Sequence, residues 1–128
     1  MRIVIAGAGE LGFHLAKLLA IEEQDITLID GDDRVLDQAK NQFDVGTVVG
    51  SATSISILIE ANISKTDLLI AVTSDQETNF AAAIICKNLG AKRTIARISN
   101  IEFLKKKELL TFGDNFVLVE FAFHSPPQ

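Results

Sequence analysis

The chain has 128 residues, 48% hydrophobic and 23% charged, with one Cys and a formal net charge of -5. That length suits a single domain, and the apolar fraction suffices for a core, which excludes intrinsic disorder. The acidic balance argues against a nucleic-acid partner, one Cys excludes an internal disulfide framework, and no apolar run reaches the ~18 uncharged residues of a membrane span.

The opening Met1-Arg2-Ile3-Val4-Ile5 lacks the long apolar stretch and cleavage site of a secretory signal, so the chain reads as cytosolic. Ile3-Val4-Ile5-Ala6 is an unbroken apolar run closed by Gly7, the pattern of a strand buried on both faces. Leu11, Leu15, Leu18 and Leu19 then recur at helical spacing. A second strand, Ile26-Thr27-Leu28-Ile29, stops at Asp30-Gly31. Asp32 or Asp33 can cap the next helix, whose inner face is Val35, Leu36, Ala39 and Phe43. Thr47-Val48-Val49 is a third strand between two glycines, and Thr53 or Ser54 can cap a short helix carrying Ile55, Leu58 and Ile59.

The rhythm then repeats. Leu68-Leu69-Ile70-Ala71-Val72 is a fourth strand, and Ser74 or Asp75 opens a long helix through Phe80, Ile84, Ile85 and Leu89, ended by Gly90. Thr94-Ile95-Ala96-Arg97-Ile98 is a fifth strand, residues 101–110 read as helical, and Phe116-Val117-Leu118-Val119 reads as a sixth strand. Alternating strands and helices predict a doubly wound parallel α/β sheet with helices on both faces. The domain is expected over residues 1–120, with residues 121–128 a poorly ordered tail.

Gly7-Ala8-Gly9-Glu10-Leu11-Gly12 matches G-x-G-x-x-G, directly after the first strand and opening a helix inside a βαβ unit. Gly7 permits the tight turn, Gly9 the approach of a pyrophosphate, and Gly12 close packing of the helix on the sheet. The helix start then presents free N–H groups to phosphate. A glycine turn serving packing alone is the competing reading.

Asp30 ends the second strand near where a ribose-binding acid belongs. Its carboxylate can accept from both ribose hydroxyls and, with Asp32 and Asp33, repels a 2′-phosphate. NAD or an adenine nucleotide is thereby favoured over NADP, although Arg34 is near enough to soften that preference. Further candidates follow later strands: Gly50-Ser51-Ala52-Thr53, Thr73-Ser74, and Arg97, the only cation at these strand ends. Helix capping competes for the hydroxyls, and a surface salt bridge for Arg97. His14 reads as solvated, Cys86 as core, and Lys105-Lys106-Lys107 as a solvated helix face. Neither His14 nor His124 has partners at metal-ligand spacing.

The chain contains no Tyr, which excludes the Tyr-Lys chemistry of short-chain reductases. The site reads as built to bind and not to react.

On the early G-x-G-x-x-G, Asp30, Gly50-x-Ala52-Thr53, Ala71-Val72-Thr73-Ser74-Asp75-x-Glu77-x-Asn79 and Ala96-Arg97-Ile98-Ser99-Asn100, the chain resembles the RCK (KTN) N-terminal domains. The specific likeness is to the type found in regulatory subunits of Trk potassium uptake systems, over roughly residues 1–105. The resemblance implies an NAD(H)- or ATP/ADP-binding regulatory lobe. It would sit peripheral to the inner face of the cell membrane on an integral-membrane potassium transporter subunit, as a homodimer or higher ring. It also implies that Gly7 to Leu11 cradle phosphates, Asp30 holds the ribose, Thr73 and Ser74 line the crevice, and Arg97 touches phosphate. Two departures stand out: Ser51 replaces the family's usual Asp, and the sequence after about residue 110 does not follow the family continuation. The alternatives are a small NAD-dependent oxidoreductase, the RCK domain of a cation antiporter, and an oligomerisation module with a vestigial pocket. The helix from Phe80 to Leu89 is apolar enough to bury against a partner.

Overall fold

The computed structural model describes residues 1–99, 109–111 and 117–121. In chain order these form β1 (Arg2–Ala6), α1 (Glu10–Ile21), β2 (Asp25–Asp30), α2 (Asp33–Gln42), β3 (Gly46–Val49) and α3 (Ile55–Glu60). A 3-10 turn (Ile63–Lys65) leads into β4 (Leu68–Ala71), α4 (Gln76–Asn88), β5 (Arg93–Ile98), β6 (Leu109–Thr111) and β7 (Val117–Phe121). The seven strands form one sheet in the order β3-β2-β1-β4-β5-β7-β6, and the pairs from β3 to β5 are all parallel.

The unbroken apolar runs follow from burial of both sheet faces, since successive side chains point to opposite sides. Ile3, Ile5, Ile26, Leu28 and Ile70 pack under α1 and α2 with Ala16, Leu36 and Ala39. Val4, Ala6, Ile29, Leu69, Ala71 and Ala96 pack on the other side with Leu58, Ile63, Ala82, Ala83 and Cys86. The small residues of α1, Gly12 and Ala16, are its buried ones, while Leu18 is 48% exposed. Asp32 caps α2 by accepting from the Arg34 N–H at 3.0 Å. Ser54 stands at the N-cap of α3 without a side-chain capping bond. Gly90, at φ +114, ends α4, with the Ala91 N–H returning to the Cys86 carbonyl at 3.0 Å.

The far edge departs from the all-parallel expectation. β7 runs antiparallel to both β5 and β6. Only residues 112–116 join β6 to β7, too short a link for a parallel crossover, so the pair closes as a hairpin. Residues 109 and 110, read as the end of a helix, are in strand instead, because pairing with β7 overrides the helical preference of two leucines. Phe121, expected as the first residue of the tail, is instead the last of β7, paired with Thr94. The remainder of that expected helix (101–108, with its lysines), the start of the sixth strand at 116 and the rest of the tail, 122–128, lie outside the described residues. Phe80, Ile85 and Leu89 of α4 pack against the core. Among the described residues, the exposed large apolar side chains are Met1, Leu18, Ile21, Val49, Ile55 and Ile59. No described helix is long and apolar enough to cross a membrane.

Candidate functional site

The three fingerprint glycines meet different surroundings. Gly7 sits at φ +107, and a Cβ there would lie 2.8 Å from the Thr73 amide nitrogen. A Cβ on Gly12 would lie 1.7 Å from the Gly7 carbonyl oxygen, so α1 lies against the loop only because that side chain is absent. The fold demands both of these glycines. Gly9 differs: its backbone is ordinary for any residue (φ -69, ψ -165), and a Cβ there would meet nothing within 4 Å. The protein leaves open space at the position where a ligand would have to approach the backbone.

Gly9 is also the N-cap of α1 and brings no side chain to cap it. The Phe13 N–H makes the first intrahelical bond, to the Gly9 carbonyl at 2.8 Å. The N–H groups of Glu10, Leu11 and Gly12 therefore have no acceptor within the helix, at its positive end. Groups so placed can receive an anion; α2 by contrast is capped by Asp32, while α3 and α4 also start without a side-chain capping bond.

Asp30 reaches back from the end of β2 to that loop. One carboxylate oxygen accepts from the Ala8 N–H at 2.8 Å and the other from the Asp32 N–H at 2.8 Å. Charge-assisted bonds of this kind fix the side chain, and each oxygen keeps a further lone pair for a ligand hydroxyl.

The structure divides the candidates expected from sequence between separate hollows. A cavity of about 420 Å³ is lined by Gly7, Asp30, Gly50, Ser51, Ala52 and Thr73, joined by Ile29, Gly31 and Thr78. Arg97 lines a different hollow with Glu10, Leu11 and His14, on the α1 side of the glycine loop. Strand alternation is the reason, because Arg97 shares the face of Ile95, which packs on the α1 side. Ala8 and Gly9 border a third hollow between α1 and α2, beside Phe13, Lys17 and Val35. The Arg34 side chain is 91% exposed and pairs with Asp32 at 3.5 Å, and it lines none of these hollows. Thr53 binds Ser51, hydroxyl to hydroxyl at 3.0 Å, and Ser74 is exposed.

At the β4 end, one residue whose role the sequence did not reveal holds the arrangement together. Asn79, 1% exposed, accepts the Thr73 N–H at 2.9 Å and the Thr73 hydroxyl at 2.6 Å on its Oδ1. Its Nδ2 donates to the Thr73 and Arg97 carbonyls, each at 2.9 Å. A signal was available: Asn79 shares the buried face of α4 with Ala82, Ala83 and Cys86, the one polar residue among them. Next to it, the Thr78 hydroxyl donates to Asp75 at 2.6 Å and, as the first of several hydrogen bonds, holds that carboxyl below its ordinary range. Burial pushes the Cys86 thiol up to about 12, so it is core and not a nucleophile. Among the described residues no group of His, Cys, Asp or Glu could hold a metal ion.

Comparison with known proteins places this geometry in context. The family model described as the TrkA-N domain matches residues 3–118. A Trk system potassium uptake protein TrkA homolog from Archaeoglobus fulgidus is 37% identical over 106 residues, covering 83% of this chain and 24% of that protein. The Trk system potassium uptake protein TrkA of Haemophilus influenzae is 38% identical over 116 residues, covering 90% of this chain and 25% of its own length. The chain thus spans about a quarter of the length of these relatives. Among solved structures, the TrkA-N domain of inner membrane protein ybaL from Escherichia coli superposes with a TM-score of 0.65 at 17% identity. The match covers 70% of this chain and 65% of that one, a likeness of fold.

Proposed function

The chain belongs to the TrkA-N domain family, and from that premise we propose that residues 1–120 are the nucleotide-sensing lobe of a regulatory subunit of potassium uptake. The observation that carries this reading is the open space at Gly9 beside an uncapped helix start and a fixed Asp30 carboxylate. The N–H groups of Glu10, Leu11 and Gly12 would receive phosphate oxygens. Asp30 would accept the ribose hydroxyls on the lone pairs that Ala8 and Asp32 leave, and its charge, with that of Asp32, would repel a 2′-phosphate. NAD or NADH, and ATP or ADP at the same site, are the ligands this chemistry fits. Ser51 and Thr78 would add neutral hydroxyls along the wall.

The proposed role is regulatory, not catalytic. A nucleotide that binds one arrangement of the subunit better than another shifts the transporter it is attached to. The partners proposed are an integral-membrane potassium transporter subunit and further copies of the chain, in a dimer or ring, in the cytoplasm at the inner face of the membrane. The test is potassium uptake in a host lacking this protein, complemented with the full-length protein or its Asp30→Ala variant. Wild type should restore nucleotide-dependent uptake and the variant should not. Normal nucleotide-dependent uptake in the uncomplemented host would overturn the proposal.

A further inference from the structure

The β4–β5 ladder stops at the pair Ala71–Ala96, and beyond it the strand ends part to form the rim of the crevice. Parting leaves the backbone groups of Thr73 and Arg97 in need of partners at a half-buried position. One carboxamide supplies them: all four hydrogen-bonding positions of Asn79 are filled, three by Thr73 and one by the Arg97 carbonyl. The Thr73 backbone in turn lies against Gly7 so closely that a Cβ on the glycine would touch it at 2.8 Å. Just past Arg97, the Ser99 N–H donates to Gln76 Oε1 at 3.1 Å, on the first turn of the helix that carries Asn79.

We propose that Asn79 is a positioning residue that makes the end of β5 follow the glycine loop. A nucleotide seated on Gly7–Gly12 presses on Thr73, and the Asn79 carboxamide carries that displacement to Arg97 and the chain that continues from it. The inference rests on the nucleotide reading above. It assigns the outgoing step of the sensor to a residue that does not itself line the crevice.

The test is amide hydrogen exchange on the full chain with NAD and with ADP, in wild type and in Asn79→Asp, which keeps the acceptor oxygen but removes the donors to Thr73 and Arg97. In wild type, saturating nucleotide should slow exchange at least tenfold both at Thr73 and at Ile98–Ser99. In the variant, protection at Thr73 should persist and that at Ile98–Ser99 should disappear. A merely structural Asn79 would speed exchange with and without nucleotide alike, leaving the nucleotide-induced protection at Ile98–Ser99 unchanged, and that result overturns the inference alone. No protection anywhere in wild type overturns the nucleotide reading and this inference with it. If Asn79→Asp does not fold, Thr73→Val takes its place; it deletes the hydroxyl's bonds to Asn79 and to the Asp75 backbone and keeps the Thr73 backbone bonds to Asn79. It should reduce the protection at Ile98–Ser99 about threefold, and an unchanged value overturns the inference.

Discussion

At the β1–β2 end of the crevice a carboxylate on a strand reaches back to the loop, Asp30 holding the Ala8 N–H at 2.8 Å. At the β4–β5 end a neutral carboxamide on a helix reaches up to two strands, Asn79 holding Thr73 and Arg97. The first arrangement leaves lone pairs and uncapped N–H groups facing outward, whereas the second has every polar position filled. On the proposed reading, the first end offers unfilled capacity to a ligand and the second links the loop to the strand that leaves the crevice.

The largest effect that sharpens this contrast is Gly12→Ala. Its Cβ would meet the Gly7 carbonyl at 1.7 Å, and backbone cannot rotate away as a side chain can. Overpacking of this kind should cost about 3 kcal/mol or more, read as a shift in urea midpoint. Gly9→Ala is the control, with room for its methyl, and should stay within about 0.5 kcal/mol of wild type while weakening nucleotide binding at least tenfold. Equal stability of the two variants would break the distinction between a glycine that packing requires and one that it does not.

Asp30→Ala should come next, at about 1–3 kcal/mol, because it strands two backbone N–H groups that the carboxylate now satisfies. A smaller effect concerns the opposite end of the sheet. The Arg2 backbone N–H, and then Lys92, hold the Asp67 carboxyl below its ordinary range, and the Arg93 guanidinium does the same to Glu120. A depressed folded-state pKa contributes stability that is present above the unfolded value near about 4 and lost as pH falls through the folded value. Stability should therefore fall below about pH 4, and Asp67→Asn should flatten that slope; an unchanged slope would show that the contacts of Asp67 with Arg2 and Lys92 carry no weight. The smallest effect is at Cys86, behind Asn79 on α4. With its thiol pushed up to about 12 it should react with a thiol reagent only at the rate of global unfolding. Rapid labelling would show that the α4 face carrying Asn79 opens on its own.

The β1–β2 end was legible in the sequence because its chemistry is local and backbone-driven. A turn, an open approach and a close helix contact each need glycine at fixed spacing, and the acid stands at the end of the next strand. The β4–β5 end was legible only in part: Thr73 was expected at the strand end, but the link that Asn79 makes to the Arg97 carbonyl, 18 residues away, follows from no spacing rule. Arg97 lay between these cases. It stands at the strand end as expected, but the period-2 alternation with Ile95 sends its side chain to the α1 side, away from the cavity that holds Asp30 and Thr73. The five parallel strands followed from apolar runs bounded by turn residues, while the antiparallel β7 depended on a tertiary pairing that a Leu-Leu step at 109–110 does not announce.

The most direct test of a ribose-reading sensor is a thermal-shift titration of wild type and Asp30→Ala with NAD, NADH, NADP, ATP and ADP. At a hundredfold excess over Kd a bound nucleotide stabilises the fold by about 2.7 kcal/mol, a rise of several degrees in Tm. That rise is expected for NAD(H) or ATP/ADP in wild type, with little for NADP and its loss in Asp30→Ala. Equal shifts in the two proteins, or none with any nucleotide, would contradict a ribose-reading sensor.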